Sequence, residues 1–473
     1  MYTRFHFFSS FFPVPDVFFR VFDLIFFRGC AIIISSAPFQ GIPSFTHASP
    51  PLLPEYHTME SFDVIICGSG PAGLAAGLAA ASHGASTVIL DRDYVIGRKL
   101  CATGNGRCNF SNTLHPFKFM AEFGRHGRFM TDALRAAPRE FFLDLLQQEG
   151  IRPSVENEIH YFPMNGRASD VRDAFLHAAK KAGAETRLST TVRRVLVENG
   201  SAAGVETESG RTIRAPHVIL ACGGTAAPAL GGSASGLELA ESLGHTVRPP
   251  VAALAPIHVD DSWLSELAGL TIPDAELGVM TGTRHVSRRG SLLFTHTGFS
   301  GPAALNLSGT VNRILAGSDG EPAQVFLRVL PDKKEQDLFD YLVAERENAP
   351  DHLLKNSLAR IAPRSLAALL CERLFGPEFH SKRLTNAGAH ELAHLLDRIV
   401  FAVSKPASME EAMAMDGGVL LKEVDPRTME SRLVKGVHFA GEILDLTGPT
   451  GGFNIQFALS GGRLAGLAAA NAL

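Results

Sequence analysis

Residues 63–73 decide the fold, and they read Asp63-Val64-Ile65-Ile66-Cys67-Gly68-Ser69-Gly70-Pro71-Ala72-Gly73. The run from Val64 to Cys67 is apolar, β-branched and of strand length, which is typical of a buried parallel strand. The next six residues match G-x-G-x-x-G. In this motif the first glycine permits a tight turn, the second lets the backbone approach a diphosphate, and the third lets a helix pack closely on the strand.

A helix, a second strand and an acidic residue complete the unit. Pro71 suits the first turn of a helix, and the Ala- and Leu-rich stretch from Ala72 to Ser82 continues it. The strand 87–90 then leads to Asp91, 18 residues past Gly73. A carboxylate at this position can accept hydrogen bonds from an adenosine ribose, so the segment predicts dinucleotide binding rather than a structural glycine-rich turn.

The segment 97–109 indicates that the dinucleotide is FAD. It is rich in glycine, asparagine and cations, and exposed backbone N–H groups with basic side chains suit a diphosphate and the polar edge of an isoalloxazine. A solvated basic loop is the simpler alternative. The cofactor ligands predicted here are Arg92, Gly97, Arg98, Lys99, Leu100, Asn105, Gly106, Arg107, Cys108 and Asn109.

From Gly97 to Asn112 the chain resembles the signature of the BaiN/RdsA-type flavoproteins, also called YhiN-like or aminoacetone oxidase family NAD(P)/FAD-dependent oxidoreductases. Three further blocks resemble the same family: 161–168, 293–302 and 436–466. The likeness runs in order through residues 59–473, and residues 1–58 have no counterpart in it.

The resemblance implies an α/β fold with a Rossmann-like, two-dinucleotide-binding FAD domain. This domain is expected to be discontinuous, formed by residues 59–247 and 409–473. Residues 248–408 would be an inserted β-barrel-like domain with a helical cap, and substrate would lie between cap and flavin. We expect the Phe-rich residues 1–58 to be a non-native extension or a targeting segment.

Further cofactor ligands follow from the same likeness. Glu442, at the end of a short predicted strand, would bind ribityl hydroxyls, and the helix from about Asn454 would point its N-terminus at the flavin. The alternative is an ordinary C-terminal core helix. This alternative does not explain the Gly-Pro-Thr-Gly-Gly sequence that precedes the helix. The predicted set is Val192, Ala221, Gly223, Gly224, Gly441, Glu442, Gly451, Gly452, Phe453, Asn454 and Ile455.

Composition narrows the class of protein. The net charge of −4 gives no overall attraction for nucleic acid. No apolar stretch of about 20 residues indicates a membrane span. The six cysteines lack metal-ligand or CxxC spacing, so we expect no metal and a reducing cytoplasm. The oligomeric state is not indicated.

A flavin supplies the redox chemistry itself, so the protein needs only to position substrate and tune the ring. His296, Ser300 and Arg107 are the candidates for orientation or proton delivery. A second G-x-G-x-x-G is missing, so any NAD(P)H would bind transiently near the flavin.

Three functions remain open. The first is a reductase or oxidase of a small unsaturated or amine-bearing metabolite, and the second is reduction of a uridine in large-subunit ribosomal RNA. A non-redox use of the flavin is the third. Arg284, His285, Arg288 and Arg289 form the notable basic cluster for an RNA role, although such clusters are usually solvated faces.

Overall fold

The computed structural model describes residues 60–282 and 284–473 of the 473-residue chain, without the Arg284 side chain. The predicted extension at 1–58 lies outside the described residues. Within them, no helix combines the length and apolarity that a membrane crossing requires.

The strands, in chain order, are β1 (Glu60–Ser61), β2 (Val64–Cys67), β3 (Thr87–Leu90), β4 (Ser111–Asn112), β5 (Pro153–Glu156), β6 (His160–Pro163), β7 (Glu185–Arg187), β8 (Val192–Glu198), β9 (Ser201–Thr207), β10 (Thr212–Arg214), β11 (His217–Leu220), β12 (Val247–Ala253), β13 (Ile257–His258), β14 (Thr271–Thr281), β15 (Arg284–Phe294), β16 (Gly298–Ser300), β17 (Ala323–Arg328), β18 (Ile399–Val403), β19 (Ala414–Val419) and β20 (Val437–Phe439). The α-helices are α1 (Pro71–Ser82), α2 (Arg98–Gly106), α3 (Pro116–Ala121), α4 (Thr131–Ala136), α5 (Arg139–Gln148), α6 (Ala168–Lys181), α7 (Ser235–Ser242), α8 (Pro302–Ala316), α9 (Glu335–Asn348), α10 (Leu354–Leu358), α11 (Arg364–Phe375), α12 (Asn386–Asp397) and α13 (Phe453–Asn471). Short 3-10 helices include Gly124–Met130.

Four strands from the first half of the chain and β20 from near its end form a five-stranded parallel sheet. Its strand order is β20-β11-β2-β3-β7. Every residue of β2, β3 and β11 is buried, as expected for parallel strands covered on both faces. Because all five strands run the same way, their carboxyl ends share one edge, which is where open α/β sheets bind ligands. The predicted Rossmann-type fold is confirmed.

The first and last helices touch backbone to backbone. A Cβ on Gly462 of α13 would lie 2.1 Å from the Ala72 carbonyl oxygen of α1, and one on Gly466 would lie 2.3 Å from that of Ala76. Real Cβ atoms do not approach oxygens so closely, so only glycine permits this contact. The two helices therefore run parallel in direct contact, and the first turn of α1 meets the middle of α13.

The inserted region forms a nearly closed sheet with the order β13-β16-β15-β14-β17-β18. The edge strands meet where the Asp260 N–H donates to the Ala402 carbonyl at 2.9 Å. Helices α9 to α12 follow this sheet in the chain and share its apolar core. The predicted β-barrel-like insert with helices is confirmed.

Two hydrophobic cores form in the described chain. The first uses buried residues from 64–255 and 412–469, and the second uses those from 257–403. The antiparallel pair β12 and β19 lies where the chain passes between them. The domain limits 247/248 and 408/409 stay predictions, and the changeover between cores falls close to both.

We predict that Gly462→Ala lowers the free energy of unfolding by about 2 kcal/mol, because overpacking a tight contact typically costs about 1–3 kcal/mol. Thermal and denaturant unfolding measure the change. Gly317→Ala is the matched control: Gly317 has φ −111° and its nearest neighbour is 3.8 Å from the added carbon. Equal stability of the two variants would contradict the backbone contact between α1 and α13.

Acid should destabilise the fold through a buried histidine pair. His438 Nε2 lies 3.4 Å from His217 Nδ1, and burial lowers the pKa of His438 to about 4 and also lowers that of His217. An unfolded histidine has a pKa of about 6.5, so the unfolded state binds more protons between about pH 6.5 and 4. Stability is then complete above this window and is lost as the pH falls through it.

We expect urea midpoints to fall between about pH 7 and 5 by less in His438→Gln than in the wild type. The exposed His296 supplies the control variant, His296→Gln. A pH dependence identical in all three proteins would contradict the assignment.

Candidate cofactor and active site

One cavity of about 650 Å³ opens at the carboxyl edge of the parallel sheet. Each of the five strands contributes a lining residue at or just beyond its carboxyl end: Gly68, Asp91, Thr190, Ala221 and Gly441. The cavity continues to residues of the insert. The sheet edge is thus one wall of a long cleft.

The glycine-rich turn forms a cradle for a diphosphate. A Cβ on Gly68 would lie 2.4 Å from the Ala221 oxygen, and one on Gly73 would lie 1.8 Å from the Gly68 oxygen. A Cβ on Gly70 would meet nothing within 4 Å, so this residue faces open space. Gly70 caps α1 without a side-chain hydrogen bond, which leaves the first N–H groups free for an anion.

Hydrogen bonds within the protein hold the Asp91 carboxylate in position. Its Oδ2 accepts hydrogen bonds from Ser69 N (2.6 Å) and Ser69 Oγ (2.5 Å), and its Oδ1 accepts from Asp93 N (2.8 Å). These bonds fix the carboxylate at the cavity wall, where a carboxylate has further lone pairs for ribose hydroxyls.

Segment 97–109 is not the continuous loop that its glycines suggested. It begins as α2 and leaves helical geometry at Thr103, after which Gly104 and Asn105 adopt φ of 58° and 54°. Left-handed backbone is rare outside glycine and clusters at functional sites. Here it brings Gly104 and Asn105 to the cavity wall.

An ion pair crosses the cleft between α2 and the end of β20. Lys99 Nζ lies 2.7 Å from Glu442 Oε2, while Glu442 Oε1 accepts from Met415 N at 3.0 Å. Both side chains are partly exposed and both line the cavity. The pair thus presents a fixed carboxylate and a cation to whatever occupies the cleft.

The loop 448–452 is secured from three sides. Asn112 Nδ2 donates to the Gly451 oxygen at 3.0 Å, Thr450 N donates to Asn306 Oδ1 at 2.7 Å, and Asn454 bonds Gly448 through both its amide atoms. The loop ends at Gly452, which caps α13 in a left-handed conformation without a side-chain bond. A second helix N-terminus therefore meets the cavity.

Three large apolar residues also line the cavity. Leu254, Leu305 and Met413 line it, and we call them the apolar wall. Leu254 has φ 51°, an unfavourable conformation for leucine, and its carbonyl accepts from Met413 N at 3.3 Å. The wall comes from the insert and its return to the first core.

Most predicted cofactor ligands meet at this one cavity. Those in its lining are Gly68, Gly70, Pro71, Ala72, Asp91, Arg92, Gly97, Arg98, Lys99, Leu100, Asn105, Asn109, Val192, Ala221, Gly223, Gly224, Gly441, Glu442, Gly451, Gly452, Asn454 and Ile455. Gly73, Gly106, Arg107, Cys108 and Phe453 are not among the lining residues.

The structure does not bring the predicted catalytic residues to the cavity. His296 is exposed in the turn between β15 and β16, and Ser300 belongs to β16, paired with Leu293. The Arg107 guanidinium pairs with Glu156 and lies 4.6 Å from the ring centre of Phe162, which itself lines the cavity. Arg107 therefore packs on the lining residue Phe162 and does not itself line the cavity.

Sequence reasoning missed Ser69 and the apolar wall. Ser69 could have been found from its place inside the glycine motif. The wall residues carry no local signal, because they become neighbours only when the insert folds back on the first domain. Nothing in the aliphatic residues themselves marks them as site residues.

Cys67 and Cys222 line the cavity, and burial raises the pKa of both thiols, that of Cys222 to about 12. Burial raises the pKa of the Cys108 thiol to about 12, which disfavours the reactive thiolate and agrees with a packing role. The described residues contain no cluster of His, Cys, Asp or Glu able to hold a metal ion.

Comparison with known proteins identifies the family. The model of the HI0933-like protein Rossmann domain matches residues 62–468. The chain belongs to this family. Its BaiN/RdsA-type members are FAD-dependent oxidoreductases, and this protein is accordingly an FAD-dependent oxidoreductase.

Two curated relatives align with this chain over nearly their whole length. The chain is 32% identical to the ribosomal RNA dihydrouridine synthase of Escherichia coli, over 85% of this chain and 96% of that protein. It is 29% identical to the 3-dehydro-bile acid delta(4,6)-reductase of Clostridium scindens, over 86% and 98% respectively. A solved 3-ketosteroid-delta4-(5alpha)-dehydrogenase from Rhodococcus jostii aligns at 14% identity, 87% and 97% coverage and a TM-score of 0.48.

The residues present fit FAD. Two uncapped helix N-termini suit the diphosphate and an electron-rich flavin edge, while Asp91 and Glu442 offer acceptors for hydroxyl groups. The open face of Gly70 leaves room for phosphate oxygens against the backbone.

We predict that Lys99→Met weakens FAD binding about tenfold, because Glu442 loses the cation that orients it and hydrogen bonds to charged groups are worth roughly 1.5–3 kcal/mol. Quenching of flavin fluorescence on titration into apoprotein gives the dissociation constant. Arg107→Met is the control, since Arg107 stands outside the lining. If Arg107→Met proved the more damaging variant, the assignment of Lys99 would be wrong.

Proposed function

We propose that this protein is an NAD(P)H-linked reductase of a carbon–carbon double bond conjugated to a carbonyl group, and that its substrate is a uridine of large-subunit ribosomal RNA. Two relatives support the reaction class. One is named for making dihydrouridine and the other for reducing the delta(4,6) bonds of a 3-dehydro-bile acid. Uracil and such a steroid share an unsaturated bond beside a carbonyl.

The observation that carries this proposal is the continuity of the cavity. Its lining includes the glycine cradle, Lys99 and Glu442, and the apolar wall of Leu254, Leu305 and Met413. An aliphatic wall in the same cavity as a flavin site suits the flat face of an unsaturated ring, because apolar side chains disfavour water around a group that is to receive a hydride.

The protein's own residues would hold the parts in place. The α1 N-terminus would bind the diphosphate, Asp91 the adenosine ribose and Glu442 the ribityl chain. When bound, FAD supplies two-electron hydride transfer. The net reaction would add a hydride from NAD(P)H and a proton from water to the double bond, and NAD(P)H would bind transiently because the described chain offers no second glycine-rich dinucleotide site.

The ribosomal RNA substrate is supported by the E. coli relative, which combines 32% identity with 96% coverage. Such a substrate would place the enzyme in the cytoplasm. A small unsaturated or amine-bearing metabolite is the alternative, and the experiment must separate the two.

We expect NADH or NADPH to bleach the flavin within the time of a stopped-flow experiment under anaerobic conditions. The reduced protein should then convert uridine to dihydrouridine in an unmodified large-subunit ribosomal RNA transcript, seen by mass spectrometry as a gain of two hydrogens. Bile-acid dienones and aminoacetone, offered in parallel, test the alternative. Absence of bleaching with both nucleotides would contradict the reductase, and turnover of a small molecule alone would contradict the RNA substrate.

A further inference from the structure

Residues 115–128 form a two-faced segment beside the cavity, and we call them the basic segment. They comprise α3 and most of the following 3-10 helix. Phe119, Phe123 and Gly127 are buried, whereas residues 115–118, 121–122, 124–126 and 128 are exposed. One face is therefore an anchor and the other is open to solvent.

The buried face is anchored to the start of α13. The Phe119 ring centre lies 4.8 Å from that of Phe453, and Phe123 lies 6.0 Å from Phe453 and 6.2 Å from Phe457. The Phe123 ring also abuts Gly448, where a Cβ would come within 2.6 Å. These contacts place the basic segment directly against the loop 448–452, which lines the cavity.

The exposed face carries uncompensated positive charge. Lys118, Arg125 and Arg128 have no carboxylate partner among the described residues, and Arg125 bonds only its neighbour His126. Glu122 is the single acidic residue of the basic segment. This face is positive although the whole chain has a charge of −4.

An exposed aromatic ring directly precedes Lys118 in the chain. The Phe117 side chain is 75% exposed, and its ring lies parallel to that of His115, with 6.2 Å between centres and 6° between planes. A large exposed aromatic ring among unpaired cations is the combination that binds single-stranded nucleic acid, in which bases stack and phosphates pair.

Within the basic cluster noted in the sequence, Arg289 is less suited to this role. Arg289 is committed to Asp274 and Asp332, at 2.6 Å each, and Arg288 donates to the Ser287 carbonyl. The charge of Arg289 is already neutralised by two carboxylates. Phosphates would have to displace them.

We propose that the exposed face of the basic segment binds single-stranded RNA next to the cavity, with a flanking base stacked on Phe117 and phosphates on Lys118, Arg125 and Arg128. This inference rests on the proposed ribosomal RNA substrate and locates its recognition. A base must leave its stack to reach a buried site, so a surface that holds the flanking nucleotides is required beside the cavity.

The test uses the full-length flavin-loaded protein and fluorescence anisotropy. The probe is a labelled single-stranded RNA of about 20 nucleotides, longer than a typical single-strand site. Lys118→Glu/Arg125→Glu/Arg128→Glu should weaken binding at least about tenfold and reduce the slope of log affinity against log salt by about two, since each phosphate contact contributes about 0.7. Phe117→Ala should weaken binding about fivefold with an unchanged slope.

A matched control carries the same change in charge elsewhere. Lys180→Glu/Lys181→Glu/Arg288→Glu alters three exposed cations and should bind RNA within about twofold of wild type. Flavin content and melting temperature of each variant report folding. If the fully folded basic-segment variant binds RNA as well as the wild type, the inference is overturned.

The outcomes separate this inference from the proposed function. RNA binding that depends on the basic segment, without dihydrouridine formation, supports the surface and overturns the ribosomal RNA reaction. Dihydrouridine formation that is equal in wild type and basic-segment variants supports the reaction and overturns the surface. Wild-type protein that binds anionic lipid vesicles but not RNA also overturns the surface.

Discussion

The contact between α1 and α13 is the constraint on which the rest of the site depends. Gly462 and Gly466 allow the last helix to lie against the backbone of the first. Both helices then begin at the same cavity, one behind Gly70 and the other behind Gly452. A dinucleotide that spans two helix N-termini needs a fixed separation between them, and rigid backbone contact provides it more firmly than mobile side chains could.

The insert is fixed to this pair of helices by polar contacts. Asn306 of α8 accepts from Thr450 N, in the loop before α13. In β19, which pairs with β12, the Asp416 carboxylate forms ion pairs with Arg248 at 3.2 Å and with Arg313 at 3.1 Å. Arg248 also reaches Asp445 at 3.0 Å, so one guanidinium joins the connection to the segment after Glu442. These contacts therefore connect the loop 448–452 to the part of the chain that carries the apolar wall.

How much could be predicted from sequence depended on how local the signal was. The strand Val64–Cys67, the glycine turn and Asp91 are contiguous or nearly so, and each constrains its neighbours through backbone geometry. Gly462 and Gly466 looked like ordinary residues of an apolar helix, because their meaning requires knowledge of the partner helix. His296 and Ser300 stood beside glycines in the sequence, yet folding placed Gly298 in β16 of the insert and Gly301 at the start of α8.

The charge of a surface also depends on residues that are distant in the sequence. The run from Arg284 to Arg289 is conspicuous in the sequence, but β14 brings Asp274 beside Arg289, and Asp332 completes the neutralisation. In residues 115–128 the fold buries Phe119 and Phe123 but leaves Phe117 exposed together with Lys118, Arg125 and Arg128. The effective charge of a surface is thus set by which acids the fold brings near, and a count along the chain does not give it.

The apolar wall limits how the cavity can select a substrate. Leu254, Leu305 and Met413 offer shape and dryness but no charge or hydrogen bond from their side chains, and hydrophobic surfaces discriminate weakly between rings of similar size. Selection by such an enzyme has to come from groups around the cavity entrance, where polar contacts with the rest of the substrate are made.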